Sequence, residues 1–220
     1  RFEQSASLDD VDCFIGNSSY YPWAEMNDLL TPEFRREYHS AYPVRRHLEM
    51  FSESSGQDLL TQMTYTDTKL FLAGLNLAYT DKASMAASVE VRVPFLDHRL
   101  VETAVGLPSR LRIRGFEQKW LLRQIGYQYL PRKVVDRPKA PFGAPLRSWM
   151  RRDLMPMLRE YLSEESVKQR GYFQYSSIKR MIDANESGRE DYAHRLWGLL
   201  TLEVWHRIFV DGEISPSFPQ

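Results

Sequence analysis

Cysteine is almost missing from this sequence. Cys13 stands alone, which excludes an internal disulfide and makes a reducing compartment, the cytoplasm first, the simplest address. It falls in a stretch that reads as loop with no histidine close by, so a thiol nucleophile is not expected. Long apolar runs are missing too. None approaches the roughly 18 to 20 residues that a bilayer span requires, and the opening "RFEQSASLDD" is no secretory signal, so no membrane partner is expected. Charge of one sign is not in excess: lysine plus arginine number 29 and aspartate plus glutamate 29. That balance leaves no broad basic field to draw nucleic acid, and any phosphate binding must be local. The eleven glycines are scattered singly, in neither the GxxxxGK nor the GxGxxG arrangement, so the chain has no backbone nest for a nucleotide. His39, His47, His98, His194 and His206 form no metal-binding pattern, and no metal is expected on these residues. The chain opens on Arg1 rather than methionine, as a processed chain or the ordered part of a longer one would.

What is present is helical in character. Residues 1–30 read as irregular, with "NSSYYPW" as loop and Tyr20, Tyr21 and Trp23 expected to dock on something. A helix is expected from "TPEF", with Thr31 as cap and Pro32 in the first turn, running to about Leu48. Residues 57–87 suggest two helices with a break near "AYTDK", which would put Asp81 and Lys82 at the break. Asp97 is placed to cap a short helix that Gly106 and Pro108 end, and "EQKWLLRQIGYQYLP" repeats that logic with Pro131 as its stop. Pro138, Pro141 and Pro145 exclude regular helix from "DRPKAPFGAPLRSW" and present Lys139 on a stiffened loop. Beyond it lie a helix carrying Met150, Leu154, Leu158 and Leu162, one beginning near Ser176, and one over about 191–210. The last is apolar nearly all round except for a stripe of Glu203, His206 and Arg207, so it is expected to be central and packed on most sides. Few runs read as strands. The expected class is mainly α, one helical region over 31–211 with a tail at 212–220, and one domain is the default for this length.

The charged residues at odd places are Asp67, Asp81, Lys82, Glu90, Arg92 and Lys139. Glu90 and Arg92 sit in the otherwise apolar "SVEVRVPFLD", and charges are rarely buried without a partner or a task. One reading makes them a structural ion pair that holds an apolar turn against the helices. The other sets a carboxylate and a lysine, Lys139, at the rim of one cleft, the lysine meeting phosphate oxygens. The pattern alone leaves both open.

The runs "NLAYTDKASMAASVEVRVPFLDHRLVE", "LPSRLRIRGFEQKWLLRQ", "LPRKVVDRPKAPFGAPLRSWM" and "HRLWGLLTLEVWHRIFV" closely resemble the C-terminal part of the synthetase domain of glutamine-hydrolysing asparagine synthetases, colinearly over about 67–211. The resemblance implies the helical portion of a PP-loop α/β synthetase domain whose nucleotide-binding parallel sheet is largely missing from this chain. In that family ammonia from a glutaminase domain attacks aspartate that Mg-ATP has adenylated. It implies that Glu90 lines the acyl-adenylate site, buried beside the cleft, and handles the proton of the incoming amine, with Lys139 stabilising phosphate charge; Arg92, Asp81 and Lys82 would support the site. The family's SGGxDS loop, its GDGGDE-type loop and the glutaminase cysteine are absent. ATP and Mg2+ are therefore expected in a complete enzyme and not on this chain alone, which would be inactive without glutaminase and PP-loop parts from the same or a separate polypeptide. Small-molecule substrates and a homo-oligomer are also compatible. Two rivals are a relative that forms other amides or β-lactams, and a non-catalytic helical interaction module.

Overall fold

The computed structural model describes residues 9–19, 21, 23–38, 44–138 and 143–213. The chain is mainly helical, and its one sheet among the described residues is the two-residue antiparallel pair β1 (Ile113–Arg114) and β2 (Glu117–Gln118). It forms two compact units, residues 1–42 with 141–220, and residues 43–140.

The first unit owns the core. The segment expected to be irregular carries α1 (Asp10–Ser18), capped by Asp9, and α2 (Trp23–Leu29), so Cys13 is helical rather than in a loop. Thr31 does cap α3 (Pro32–Tyr38), its hydroxyl accepting from the Phe34 N–H at 3.3 Å. That helix does not run to Leu48. The next one, α4 (Arg45–Glu53), is a separate helix and belongs to the second unit.

The far end of the chain closes onto these N-terminal helices. Thr31 N–H donates to the Tyr172 carbonyl (3.0 Å), Gln174 N–H to the Leu29 carbonyl (2.8 Å) and Tyr21 Oη to the Arg195 carbonyl (2.7 Å). The expected helix through Met150 and Leu162 is two, α11 (Leu146–Arg151) and α12 (Met155–Tyr161), reset before Pro156. Both still turn apolar side chains inward, Met150 and Leu158 being fully buried. With α13 (Glu164–Arg170), α14 (Tyr175–Glu186) and α15 (Ala193–Phe209) they enclose Val167, Ile178, Ile182, Leu196 and Leu200. The fully buried Asn185 is satisfied, donating to the Met150 carbonyl and accepting from the Tyr192 N–H. α15 is not enclosed on most sides. Trp197, Trp205 and Phe209 are exposed, and its expected polar stripe points inward, because Arg170 reaches in to meet Glu203.

The second unit has almost no core of its own. Among its described residues the buried hydrophobics are Met50 and Phe51. Helix α5 (Leu59–Asp67), capped by Asp58, passes without interruption into a π-helical stretch, Thr68–Leu77, and then into α6 (Ala78–Ala86). The expected break near "AYTDK" is absent. The helix stays continuous there and only changes register, into the π form at Thr68 and back to the α form at Ala78, which leaves Asp81 and Lys82 inside α6. A single 3-10 turn (Pro94–Leu96) leads to α7 (His98–Val105), α8 (Ser109–Arg112), the hairpin, α9 (Trp120–Tyr129) and α10 (Arg132–Val135).

Candidate functional site

The site grows from the end of α6. Ser88 takes a left-handed backbone, φ +56°, and donates its N–H to the Met85 carbonyl at 2.9 Å, while Val89 N–H reaches back to the Ser84 carbonyl at 2.9 Å. These two bonds close the helix in the manner usual for glycine and turn the chain outward. Residues 89–93 then run free of helix, and Val93 is extended, φ −110° and ψ 96°. Side chains two apart share a face of such a segment, so Glu90 and Arg92 meet, Nε to Oε1, at 2.8 Å. The pair is 70% and 84% exposed. Glu90 is thus not buried in this chain, contrary to expectation. Among the described residues of this unit, none covers it.

Asp97 caps α7 as expected. Its Oδ1 accepts from the Arg99 N–H at 3.0 Å, and the Arg99 guanidinium grips both oxygens, at 3.1 and 2.9 Å. The Arg99 side chain, then its backbone N–H, hold the Asp97 carboxyl below the ordinary aspartate range.

The other expected site residues are not drawn in. Asp81 and Lys82 are exposed on α6, Asp67 ends α5, and no hydrogen bond or ion pair among the described residues ties any of them to Glu90 or Arg92. Lys139 lies outside the described residues. Its approach is anchored: Arg123 donates to the Val135 carbonyl at 3.0 Å, and Tyr127 Oη donates to Asp136, just before Arg137 and Pro138. Among the described residues no group of three or more His, Cys, Asp or Glu side chains could hold a metal.

Two features had no sequence signal. One is an apolar cleft of 430 Å³ beside the motif, lined by Leu60, Phe95, Leu100, Leu111, Leu122 and Ile125 among others. The other is Arg112 at its wall, mostly buried, which bonds Thr61, Thr64 and Ser109 and lies 3.7 Å from Asp58. Hydrogen bonds from Ser109 and Thr61 lower the Asp58 carboxyl to about 2. This polar knot joins α5 to α8, residues about fifty positions apart that no local pattern relates.

Residues 10–207 match the sequence profile of the Asparagine synthase family. A Mycobacterium tuberculosis protein described as "Putative asparagine synthetase (glutamine-hydrolyzing)" is 31% identical over 216 residues, 97% of this chain and 32% of that protein. Asparagine synthetase (glutamine-hydrolyzing) 1 of Bacillus subtilis is 26% identical over 207 residues, 94% of this chain and 32% of its own length. Amidase chyE of Penicillium rubens is 25% identical over 126 residues, 54% of this chain and 19% of that protein. The chain spans about a third of the length of the first two relatives. No solved structure matches.

Proposed function

This chain belongs to the asparagine synthase family, and from that premise we propose that it is a share of an ATP-dependent amidotransferase, the one that presents Glu90 to the acyl centre of an activated carboxylate. The observation that carries the reading is the exposure of the Glu90–Arg92 pair. A structural ion pair would lie against the helices, whereas this one is exposed on the segment that follows Ser88, and exposed pairs add little stability. Arg92 orients the Glu90 carboxylate, which would accept a proton from the incoming amine once the site is closed and dry. Lys139 would bring a mobile positive charge to the same centre.

The described residues do not fit ATP with Mg2+ by themselves. They offer no cluster of metal-ligating side chains, and Arg92 is committed to Glu90. ATP and Mg2+ would be held by the remaining synthetase part, with glutamine-derived ammonia supplied by a glutaminase part, whether on the same or another polypeptide. Alone, the chain would be inactive. A cytoplasmic location is part of this proposal; among the described residues no helix is long and apolar enough to cross a membrane.

Aspartate is the proposed acyl substrate. A second reading, another carboxylic acid, is favoured by the partial similarity to Amidase chyE and to Amidase chry2 of Gibberella zeae, the latter 23% identical over 195 residues. ATP–pyrophosphate exchange separates the two when measured on this chain together with the polypeptide that carries the remaining synthetase part. Exchange that depends on aspartate is expected; exchange with another acid and none with aspartate would overturn the asparagine reading.

A further inference from the structure

The first unit holds a cleft of its own, away from the Glu90 motif. A hollow of 140 Å³ lies where α2 meets α14 and the start of α15, within the unit that has a packed core. Its floor is made of Leu29 and Met181, both buried. One wall is held stiffly. The Arg195 guanidinium packs over both the Tyr21 and the Tyr192 rings, 5.6 and 5.3 Å from their centres, and Glu25 takes it by two hydrogen bonds. Ser177 Oγ donates to the Asp28 carbonyl at 2.8 Å and fixes α14 against α2 at this point. Two charges on the lining are unspent. The carboxylate of Asp28 and the guanidinium of Arg180 face the hollow from α2 and α14, and neither forms a hydrogen bond or an ion pair, with each other or with any other residue.

We infer that this hollow binds a small α-amino acid with a short aliphatic side chain, held as a zwitterion: its ammonium by Asp28, its carboxylate by Arg180, and its side chain on Leu29 and Met181. The lining selects that class. A simple anion would meet repulsion from Asp28 and a simple cation from Arg180, whereas a zwitterion satisfies both charges at once. Because Asp28 and Arg180 do not reach each other, one molecule carrying both signs is what joins them. Arg180 suits a carboxylate, which its planar fork can take by two parallel bonds. Size narrows the side chain. The hollow has the space of about five waters, below the roughly 300 Å³ at which pockets for drug-sized ligands begin, and its apolar floor has no hydrogen bond to offer a polar side chain. The inference does not depend on the amidotransferase reading, since none of these residues is placed at the acyl centre.

Titration of the ¹⁵N-labelled chain with L-valine, followed by two-dimensional NMR, tests this. Saturable shifts are expected at residues around the hollow, with a dissociation constant on the order of 1 mM. Asp28→Asn and Arg180→Gln should each weaken binding about tenfold or more. Neither side chain has a partner to lose, so the circular dichroism and thermal midpoint of both variants without ligand should match wild type. Blocked ligands assign the two ends. N-acetyl-L-valine, which lacks the ammonium, should bind weakly and equally to wild type and Asp28→Asn; L-valinamide, which lacks the carboxylate, should bind weakly and equally to wild type and Arg180→Gln. No saturable shift at tens of millimolar L-valine overturns the inference, as do variants that bind L-valine unchanged or blocked ligands that bind as tightly as the free amino acid.

Discussion

The Arg170 guanidinium grips the Glu203 carboxylate from across the first unit, Nε to Oε2 at 2.9 Å and Nη2 to Oε1 at 3.1 Å. Arg207 adds a third bond to Oε1 at 2.9 Å while its guanidinium lies 4.0 Å from the Tyr161 ring centre, and Asp211 takes the outer side of Arg170. A buried carboxylate thus stands between two partly buried arginines. Glu203→Ala would strand both cations and should cost about 3 kcal/mol of stability in urea denaturation, with Glu203→Gln milder because the amide oxygen still accepts. A loss below about 0.5 kcal/mol from the alanine variant would show that the cluster is not what holds α13 to α15.

The same cluster sets an acid limit. Burial alone would raise the Glu203 carboxyl, but the hydrogen bonds and charges of Arg170 and Arg207 outweigh it and leave the group below its ordinary value. Asp211 is held down too, by its hydrogen bonds from Arg170. A carboxyl depressed in the folded state stabilises fully above its unfolded pKa, near about 4, and loses that contribution as pH falls through the folded value. The denaturation midpoint should therefore change little from pH 7 to 5 and fall below about pH 4. In Glu203→Gln the fall should be shallower, and an identical acid limb would remove Glu203 from the explanation.

Ser88 is the strained point of the motif. A non-glycine residue in the left-handed region pays about 1 kcal/mol, and here the turn requires that conformation in order to bond Ser84 and Met85. Ser88→Gly should stabilise the second unit by up to about 1 kcal/mol, and Ser88→Val should destabilise it. Should glycine give no gain, the strain would have to be relieved by a contact of the Ser88 side chain.

Much of this fold was legible where the signal is local. Thr31 with Pro32, Asp97 before α7 and Pro131 after α9 mark ends that a single turn of chain decides. What was not legible depends on distant partners. "NSSYYPW" has loop composition, yet Trp23 begins α2, which is held because Leu29 and Leu30 bond the strand-like turn at Tyr172 to Gln174. The stripe of Glu203, His206 and Arg207 reads as a wet face until Arg170, 33 residues earlier, folds over it. At the site, the sequence placed Glu90 and Arg92 side by side correctly but expected burial, which needs surface that this unit does not contain.

The sharpest activity test concerns Glu90 and Lys139 in the assembled synthetase, because their proposed roles separate by step. Lys139→Ala should lower pyrophosphate release by orders of magnitude, since a charge that meets phosphate is needed before any acyl-adenylate exists. Glu90→Gln keeps the shape, removes the base, and should spare ATP–pyrophosphate exchange relative to amide formation, so the ratio of the two rates is the readout. Glu90→Ala would be harder to interpret if Glu90 becomes buried on assembly, because it leaves Arg92 unpaired. Equal loss of both rates in Glu90→Gln would move Glu90 to the adenylation step, and unchanged amide formation would remove it from the chemistry.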